Sequence, residues 1–185
     1  MPASRLKVFL PLIVFALFAG LFYVVQNNIK EGRYDPQALP SALIGQLLPD
    51  FELPVLNSAE NKIATKSDLP RGWLLVNVWA TWCPSCHYEH AYLNKLAVTG
   101  EVKIIGIDYK DENAAAQQWL AEKGNPYALV MADQQGRFGL DLGVTGAPEN
   151  FLVDPQGVIR LRWQGPLDEG VWAVNFKPLI TGAMK

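Results

Sequence analysis

Residues 76–86 read VNVWATWCPSC, an apolar run that ends in two cysteines separated by two residues. Cysteines in a Cys-x-x-Cys arrangement can close a tight disulfide or hold two thiols ready for exchange. The chain of 185 residues contains only these two cysteines, so they do not belong to a framework of structural disulfides. The sequence therefore predicts one reactive dithiol, formed by Cys83 and Cys86.

The residues around the cysteines predict a buried strand that runs directly into a helix. The nearly continuous apolar run at 73–79 is typical of a strand buried on both faces, and a helix is expected over residues 83–96. The positive end of that helix would favour a thiolate at Cys83. Pro84 suits the first helical turn, because N–H groups there have no acceptor within the helix and its missing N–H costs no hydrogen bond. Cys86, one turn further and expected to be more covered, is then the resolving thiol.

Strand and helix patterns alternate along the rest of the chain. Further strands are expected at residues 102–108, 151–153 and 158–163, with a short edge or connecting strand at 127–131 and helices at 112–123 and 168–180. The sequence DPQG at 154–157 has the turn chemistry of a hairpin. This order of elements predicts an α/β sandwich with a mixed central sheet.

The N-terminal part differs in composition from the rest. No charged residue occurs from 8 to 29, and this run is long enough to cross a bilayer as a helix. A cleaved signal peptide is the alternative, but no Ala-x-Ala site follows the run. We expect a cytoplasmic tail at residues 1–7, a transmembrane anchor at 8–28, a linker at 29–48 and one compact domain at 49–185.

A short N-terminal tail before a large domain usually inserts with the N-terminus in the cytoplasm. The dithiol would then lie outside the cytoplasm, where disulfides persist, and a bacterial periplasm is the interpretation that we favour. The net charge is −2, and no basic block interleaved with aromatic residues is present. The sequence therefore gives no indication of nucleic-acid binding.

Several separated motifs resemble a single family. VNVWATWCPSC is similar to the active-site strand and helix of the thioredoxin fold. Glu89-His90, GIDYKD at 106–111 and GVTGAPE at 143–149 narrow the resemblance to the membrane-anchored thiol–disulfide interchange proteins of cytochrome c maturation, the DsbE or CcmG type. The resemblance covers nearly the whole chain. It implies a thioredoxin-like sandwich whose mixed sheet is flanked by helices.

The resemblance also assigns roles to residues near the dithiol. The first cysteine would attack the substrate and the second would resolve the mixed disulfide. Pro148 falls where thioredoxin-like proteins place a cis-proline beside the disulfide, so we expect a cis bond between Ala147 and Pro148. The backbone at 145–147 would then pair with an extended substrate. Trp82 is expected to shield the dithiol and to offer a contact surface.

Two carboxylates are candidates for proton transfer. Ordinary thioredoxins carry a buried aspartate six positions before the first cysteine, and Asn77 occupies that place here. The resemblance makes Glu89 and Glu149 the acidic residues near the dithiol. We therefore expect the proton-handling role to have passed to one of them, with a solvated helix position as the alternative for Glu89.

The function that the resemblance implies is reduction of protein disulfides at the bacterial inner membrane. A single-pass protein facing the periplasm would keep the cysteines of apocytochrome c, or of a haem-ligation partner, reduced before haem attachment. A membrane electron donor of the DsbD or CcdA type would restore its electrons. The dithiol is its own redox centre, so no cofactor is expected. A general disulfide oxidase or isomerase of the cell envelope is the alternative within the same class.

The segment CPSCH at 83–87 also matches Cys-x-x-Cys-His, the attachment motif of a c-type haem. A membrane-anchored haem electron carrier would use His87 as one axial ligand and Met131 or Met184 as the other. Pro84 and the preceding buried strand favour the dithiol interpretation instead. A zinc site built from Cys83, Cys86, His87 and His90 is also disfavoured, because His87 adjoins Cys86 and adjoining ligands close a tetrahedron poorly.

Overall fold

The computed structural model describes residues 3–30, 43–56, 58 and 62–182. Most of the expected linker, together with Met184, lies outside these residues. The chain divides into two units, Met1–Leu39 and Pro40–Lys185.

The first unit contains one long helix, α1 (Ala3–Lys30), of 28 residues. Its stretch Phe9–Asn27 is long and apolar enough to cross a membrane, and the side chains from residue 9 to residue 26 are exposed. Pro11 lies inside the helix, where a membrane-spanning segment tolerates it. One apolar N-terminal helix is thus present, as membrane anchoring requires.

The second unit begins with two short strands that the sequence pattern did not predict. β1 (Leu53–Pro54) and β2 (Ile63–Ala64) pair antiparallel as a separate two-stranded sheet. A strand of two residues has no alternation that a sequence window can detect.

A mixed five-stranded sheet forms the centre of this unit, as predicted. Its strands are β3 (Leu74–Trp79), β4 (Lys103–Tyr109), β5 (Leu129–Asp133), β6 (Glu149–Val153) and β7 (Ile159–Gln164). They lie in the order β5-β4-β3-β6-β7, so β3 is central and β5 is an edge strand. β3, β4 and β5 are parallel, while β6 and β7 run antiparallel to their neighbours.

One helix follows each of β3, β4 and β5, and two more helices follow β7 at the C-terminal end of this unit. They are α2 (Pro84–Thr99), α3 (Asn113–Lys123), α4 (Arg137–Asp141), α5 (Glu169–Val171) and α6 (Lys177–Thr181). Two sequence expectations need correction. α4 was not predicted, and the single helix expected at 168–180 is divided by a π-helical turn, Trp172–Phe176. Pro178 has no N–H to continue the regular α-helical hydrogen bonds, so the helix cannot run through it unchanged.

Two apolar layers cover the two faces of the sheet. Every residue of β3 is buried, as its apolar run predicted. Leu75 and Trp79 pack in the layer that holds both cysteines, while Val76 and Val78 pack in the other layer. Because side chains alternate along a strand, Asn77 faces the same layer as the dithiol. β3 therefore presents a buried amide to the helix that carries the cysteines.

We expect Leu152→Ala to lower the free energy of unfolding by about 2–5 kcal/mol, because it leaves a cavity in the layer under the dithiol. The matched control is Leu140→Ala, since Leu140 is exposed on α4. Its effect should stay within about 0.5 kcal/mol. Denaturant unfolding followed by circular dichroism measures both, and equal losses in the two variants would contradict the assignment of the core.

Candidate active site

The two cysteines lie at the junction between β3 and α2. Cys83 and Cys86 form a disulfide, with their Cα atoms 5.4 Å apart. Cys83 is the residue that caps α2, which begins one residue later than the sequence predicted. The backbone N–H of Cys86 points at the Cys83 sulfur, 3.1 Å away. After reduction, this N–H and the helix dipole would stabilise a thiolate at Cys83.

The burial of the two cysteines is the same. Each residue is only 2% exposed, so the expectation that Cys86 is the more covered of the pair is wrong. Their backbone positions distinguish them instead. Cys83 is at the cap, where helix N–H groups converge, whereas Cys86 lies inside the first turn after Pro84.

Trp82 borders the dithiol and is 53% exposed. Its indole N–H donates to the backbone carbonyl of Lys110, 3.1 Å away, in the loop after β4. The ring is therefore held in place while half of its surface stays open to a partner. A shallow pocket is lined by this ring and by Thr81, Pro84, His87 and Tyr88, which flank the two cysteines in sequence.

The loop before β6 contains the expected cis bond, between Ala147 and Pro148. The structure changes the prediction about substrate pairing. The N–H groups of Thr145 and Gly146 both donate to one carboxylate oxygen of Glu149, at 2.7 and 3.2 Å. Two of the three backbone amides expected to meet a substrate are thus already bound inside the protein.

Glu149 connects this loop to β7. Its Oε1 atom accepts the two loop amides, and its Oε2 atom is 2.8 Å from both Nε and Nη2 of Arg162. Both side chains of this pair are buried, and Arg162 also donates to the carbonyl of Gly143. Because the Glu149 carboxylate is paired with a cation, the geometry favours a bracing role for it over a proton-transfer role.

Glu89 is only 1% exposed, which excludes the solvated helix position considered for it. It lies three residues after Cys86, on the same buried face of α2. Its Oε1 atom accepts the side-chain amide of Asn150 at 2.5 Å and the backbone N–H of Leu167 at 3.0 Å. Its Oε2 atom accepts the side-chain amide of Asn77 at 3.2 Å.

Burial raises the pKa of Glu89 from 4.5 to about 7, although the three hydrogen bonds to Asn150, Leu167 and Asn77 oppose the shift. A carboxyl group with this pKa gains or loses a proton near neutral pH. Asn77, at the usual place of the thioredoxin aspartate, is therefore an orienting residue here. The Tyr127 hydroxyl completes the network by donating to Asn77 at 2.9 Å.

Three residues of the site were not identified from the sequence: Asn150 and Tyr127 in the Glu89 network, and Arg162 beside Glu149. Tyr127 and Arg162 carried no distinct signal in the sequence. Asn150 did, because it directly precedes the apolar run 151–153, and a buried polar side chain in a strand must find a partner. The identity of the partner, however, depends on strand order, which the sequence pattern does not contain.

The fold and the dithiol together define a thioredoxin-like thiol–disulfide oxidoreductase. The Redoxin family model matches residues 43–175. The DsbE thiol:disulfide interchange protein of Haemophilus influenzae is 49% identical over 174 residues, which is 94% of each chain. That of Escherichia coli is 46% identical over 178 residues, covering 95% of this chain and 94% of the relative. The chain belongs to the Redoxin family and, within it, to the DsbE thiol:disulfide interchange proteins.

Solved structures agree with this fold. A secreted thiol-disulfide isomerase from Corynebacterium glutamicum matches with a TM-score of 0.63 and 22% identity, over 80% of this chain and 96% of that one. A thiol-disulfide oxidoreductase from Bacteroides fragilis matches with a TM-score of 0.60 and 21% identity, over 72% and 99%.

These findings count against the haem alternative. Met131 packs in the layer of the sheet opposite to the dithiol, so it does not meet His87, and Met184 lies outside the described residues. The ring of His90 contacts the carbonyl of Gly124 at 2.9 Å. Among the residues that the structure describes, no three His, Cys, Asp or Glu side chains are grouped as metal ligands would be.

We expect Glu89→Gln to flatten the pH dependence of stability. The folded pKa of about 7 lies above the ordinary 4.5, so the stability that Glu89 contributes is complete below about pH 4.5 and is lost as the pH rises to about 7. The unfolding free energy of the wild type should therefore fall by about 3 kcal/mol more than that of the variant over this interval.

The same variant should change the pH dependence of Cys83 alkylation in the reduced protein. Glu52→Gln is the control, because Glu52 is exposed and lies far from α2 in sequence. Parallel pH profiles for wild type, Glu89→Gln and Glu52→Gln would show that Glu89 does not exchange a proton with the dithiol.

Proposed function

We propose that this protein is a periplasmic reductant of protein disulfides in c-type cytochrome biogenesis. Its substrates would be the cysteines of apocytochrome c, or of a haem-ligation component, before haem is attached. The DsbE relatives, which match along nearly the whole chain, and the single apolar N-terminal helix support this proposal. The helix would hold the protein in the bacterial inner membrane, with the catalytic domain on the periplasmic side.

The observation that carries the proposal is the position of the Cys83 sulfur at the cap of α2, where it accepts the N–H of Cys86. In the reduced protein the Cys83 thiolate would attack a substrate disulfide. A bond forms between Cys83 and one substrate sulfur, and the other substrate sulfur leaves as a thiolate. Trp82 and the Ala147–Pro148 backbone would hold the extended substrate beside this sulfur.

Cys86 would resolve the mixed disulfide. Its thiol gives a proton to the Glu89 carboxylate and then attacks the Cys83 sulfur. The bond between Cys83 and the substrate sulfur breaks, that sulfur leaves as a thiolate, and the Cys83–Cys86 disulfide closes. Two electrons pass from the protein to the substrate in each cycle. A membrane electron donor of the DsbD or CcdA type would return them, and the dithiol needs no further cofactor.

The redox state of the dithiol in intact cells tests the direction of this reaction. Acid trapping followed by thiol-specific mass tagging counts the free thiols of the full-length protein. A dedicated reductant should be mainly reduced even though its compartment is oxidising. A mainly oxidised pair would contradict the proposal and indicate a disulfide donor.

Single cysteine variants test the order of attack. Cys86→Ser should accumulate a mixed disulfide with an oxidised peptide that carries Cys-x-x-Cys-His, because no resolving thiol remains. Cys83→Ser is the matched control and should trap little of the same peptide. Gel mobility without reductant measures both. Equal trapping by the two variants would contradict the assigned roles. Trapping by Cys83→Ser alone would reverse them.

A further inference from the structure

A second buried carboxyl group lies next to the dithiol strand. Asp108, on β4, pairs in register with Trp79, the last residue of β3, and its exposed fraction is 0%. Neither carboxyl oxygen accepts a hydrogen bond from an N–H or hydroxyl donor among the described residues. An isolated buried carboxylate is costly, so such a group favours its neutral form. Burial, followed by the charge of Asp111 and a side-chain hydrogen bond with Asp111, raises the pKa of Asp108 to about 8.

Asp111 binds the loop that leads to the first cysteine. Its Oδ2 atom accepts the backbone N–H of Thr81, and its Oδ1 atom accepts the Thr81 hydroxyl at 2.9 Å. The neighbouring carbonyl of Lys110 accepts the indole N–H of Trp82. Residues 110–111 thus hold both residues that immediately precede Cys83.

Strand alternation determines which groups face Asp108. Ile104 packs in the dithiol layer and Tyr109 in the opposite layer, so Asp108 faces the dithiol layer. The Lys110 ammonium lies over the Tyr109 ring, 4.9 Å from its centre. The charged neighbour that raises the pKa of Asp108 is therefore another acid, Asp111.

Two other titratable groups lie near this pair. Tyr127 donates its hydroxyl to Asn77, and burial, followed by the charges of Glu89 and Asp108, raises the Tyr127 pKa well above 10. Tyr127 therefore stays protonated when Asp108 titrates. His87, on α2, contacts the carbonyl of Thr81 at 3.0 Å. An experiment must therefore distinguish the effect of His87 on this loop from the effect of Asp108.

We propose that Asp108 is a positioning residue for the exchange reaction, and that its proton keeps Asp111 bound to the loop before Cys83. While Asp108 is neutral, Asp111 carries the charge that holds the Thr81 N–H and hydroxyl. When Asp108 loses its proton, two carboxylates repel each other in a dry site. Asp111 is the partly exposed member of the pair, so it moves and releases Thr81.

The structural part of the proposal is tested on the full-length protein in detergent, with 15N-labelled tryptophan. The indole N–H signal of Trp82, assigned with Trp82→Phe, should shift with a midpoint near the Asp108 pKa of about 8. The shift should persist in His87→Gln and vanish in Asp108→Asn, whose side chain cannot ionise. A signal that stays constant in the wild type, or that moves equally in Asp108→Asn, would overturn the proposal.

The functional part of the proposal is tested by the rate of thiol–disulfide exchange with a disulfide peptide, measured at a series of pH values. The rate of Asp108→Asn divided by that of the wild type should rise about fivefold from pH 6.5 to pH 9.5. The wild-type rate falls by this factor because one hydrogen bond in its loop is broken when Asp108 ionises. Asp141→Asn, an exposed acid on α4, is the control and should give a constant ratio. A constant ratio for Asp108→Asn would contradict the positioning role.

A second variant keeps the test decisive if Asp108→Asn does not fold. Asp111→Asn removes the neighbouring charge and should lower the titration midpoint of the Asp108 carboxyl carbon in 13C spectra. An unchanged midpoint, or an Asp108 already ionised at neutral pH, would show that the two acids do not act together.

Discussion

The hydrogen bonds that surround the Glu89 carboxylate fix the position of the dithiol helix. Glu89 comes from α2, and its three donors come from β3, β6 and the segment after β7. A buried carboxyl group without these donors would destabilise the fold, so the network holds the helix in one register against the sheet. Because the first cysteine caps that same helix, the network also fixes the direction of the N–H group that the thiolate would meet.

Glu89 and Glu149, the two acids that the resemblance places near the dithiol, differ in the charge of their partners. Glu149 is paired with Arg162, so protonating it would leave a buried cation without its partner. Glu89 is held by neutral amides and a backbone N–H, so it can bind a proton without that consequence. This contrast explains why one carboxyl group suits a brace and the other suits proton exchange, although the sequence motifs place both near the cysteines.

Local signals in the sequence predicted the parts of the site that depend on local structure. The apolar run of β3 predicted the strand, and Pro84 indicated the start of α2. The resemblance around Pro148 predicted the cis bond. The burial of Glu89 could not be predicted in this way, because its donor Leu167 lies 78 residues away in sequence. The π-helical turn near Pro178 and the two-residue strands were missed because neither has a regular period.

We propose that Glu89 exchanges a proton with the dithiol during the redox cycle. The most direct test is the reduction potential of the Cys83–Cys86 pair, measured against pH by equilibration with glutathione. A simple two-proton dithiol changes by about 59 mV per pH unit. We expect a steeper dependence just above pH 7 in the wild type, because the charge of the reduced dithiol would raise the pKa of Glu89 further and reduction would then bind an additional proton. Glu89→Gln should show a simple slope. Identical slopes for the two proteins would contradict it.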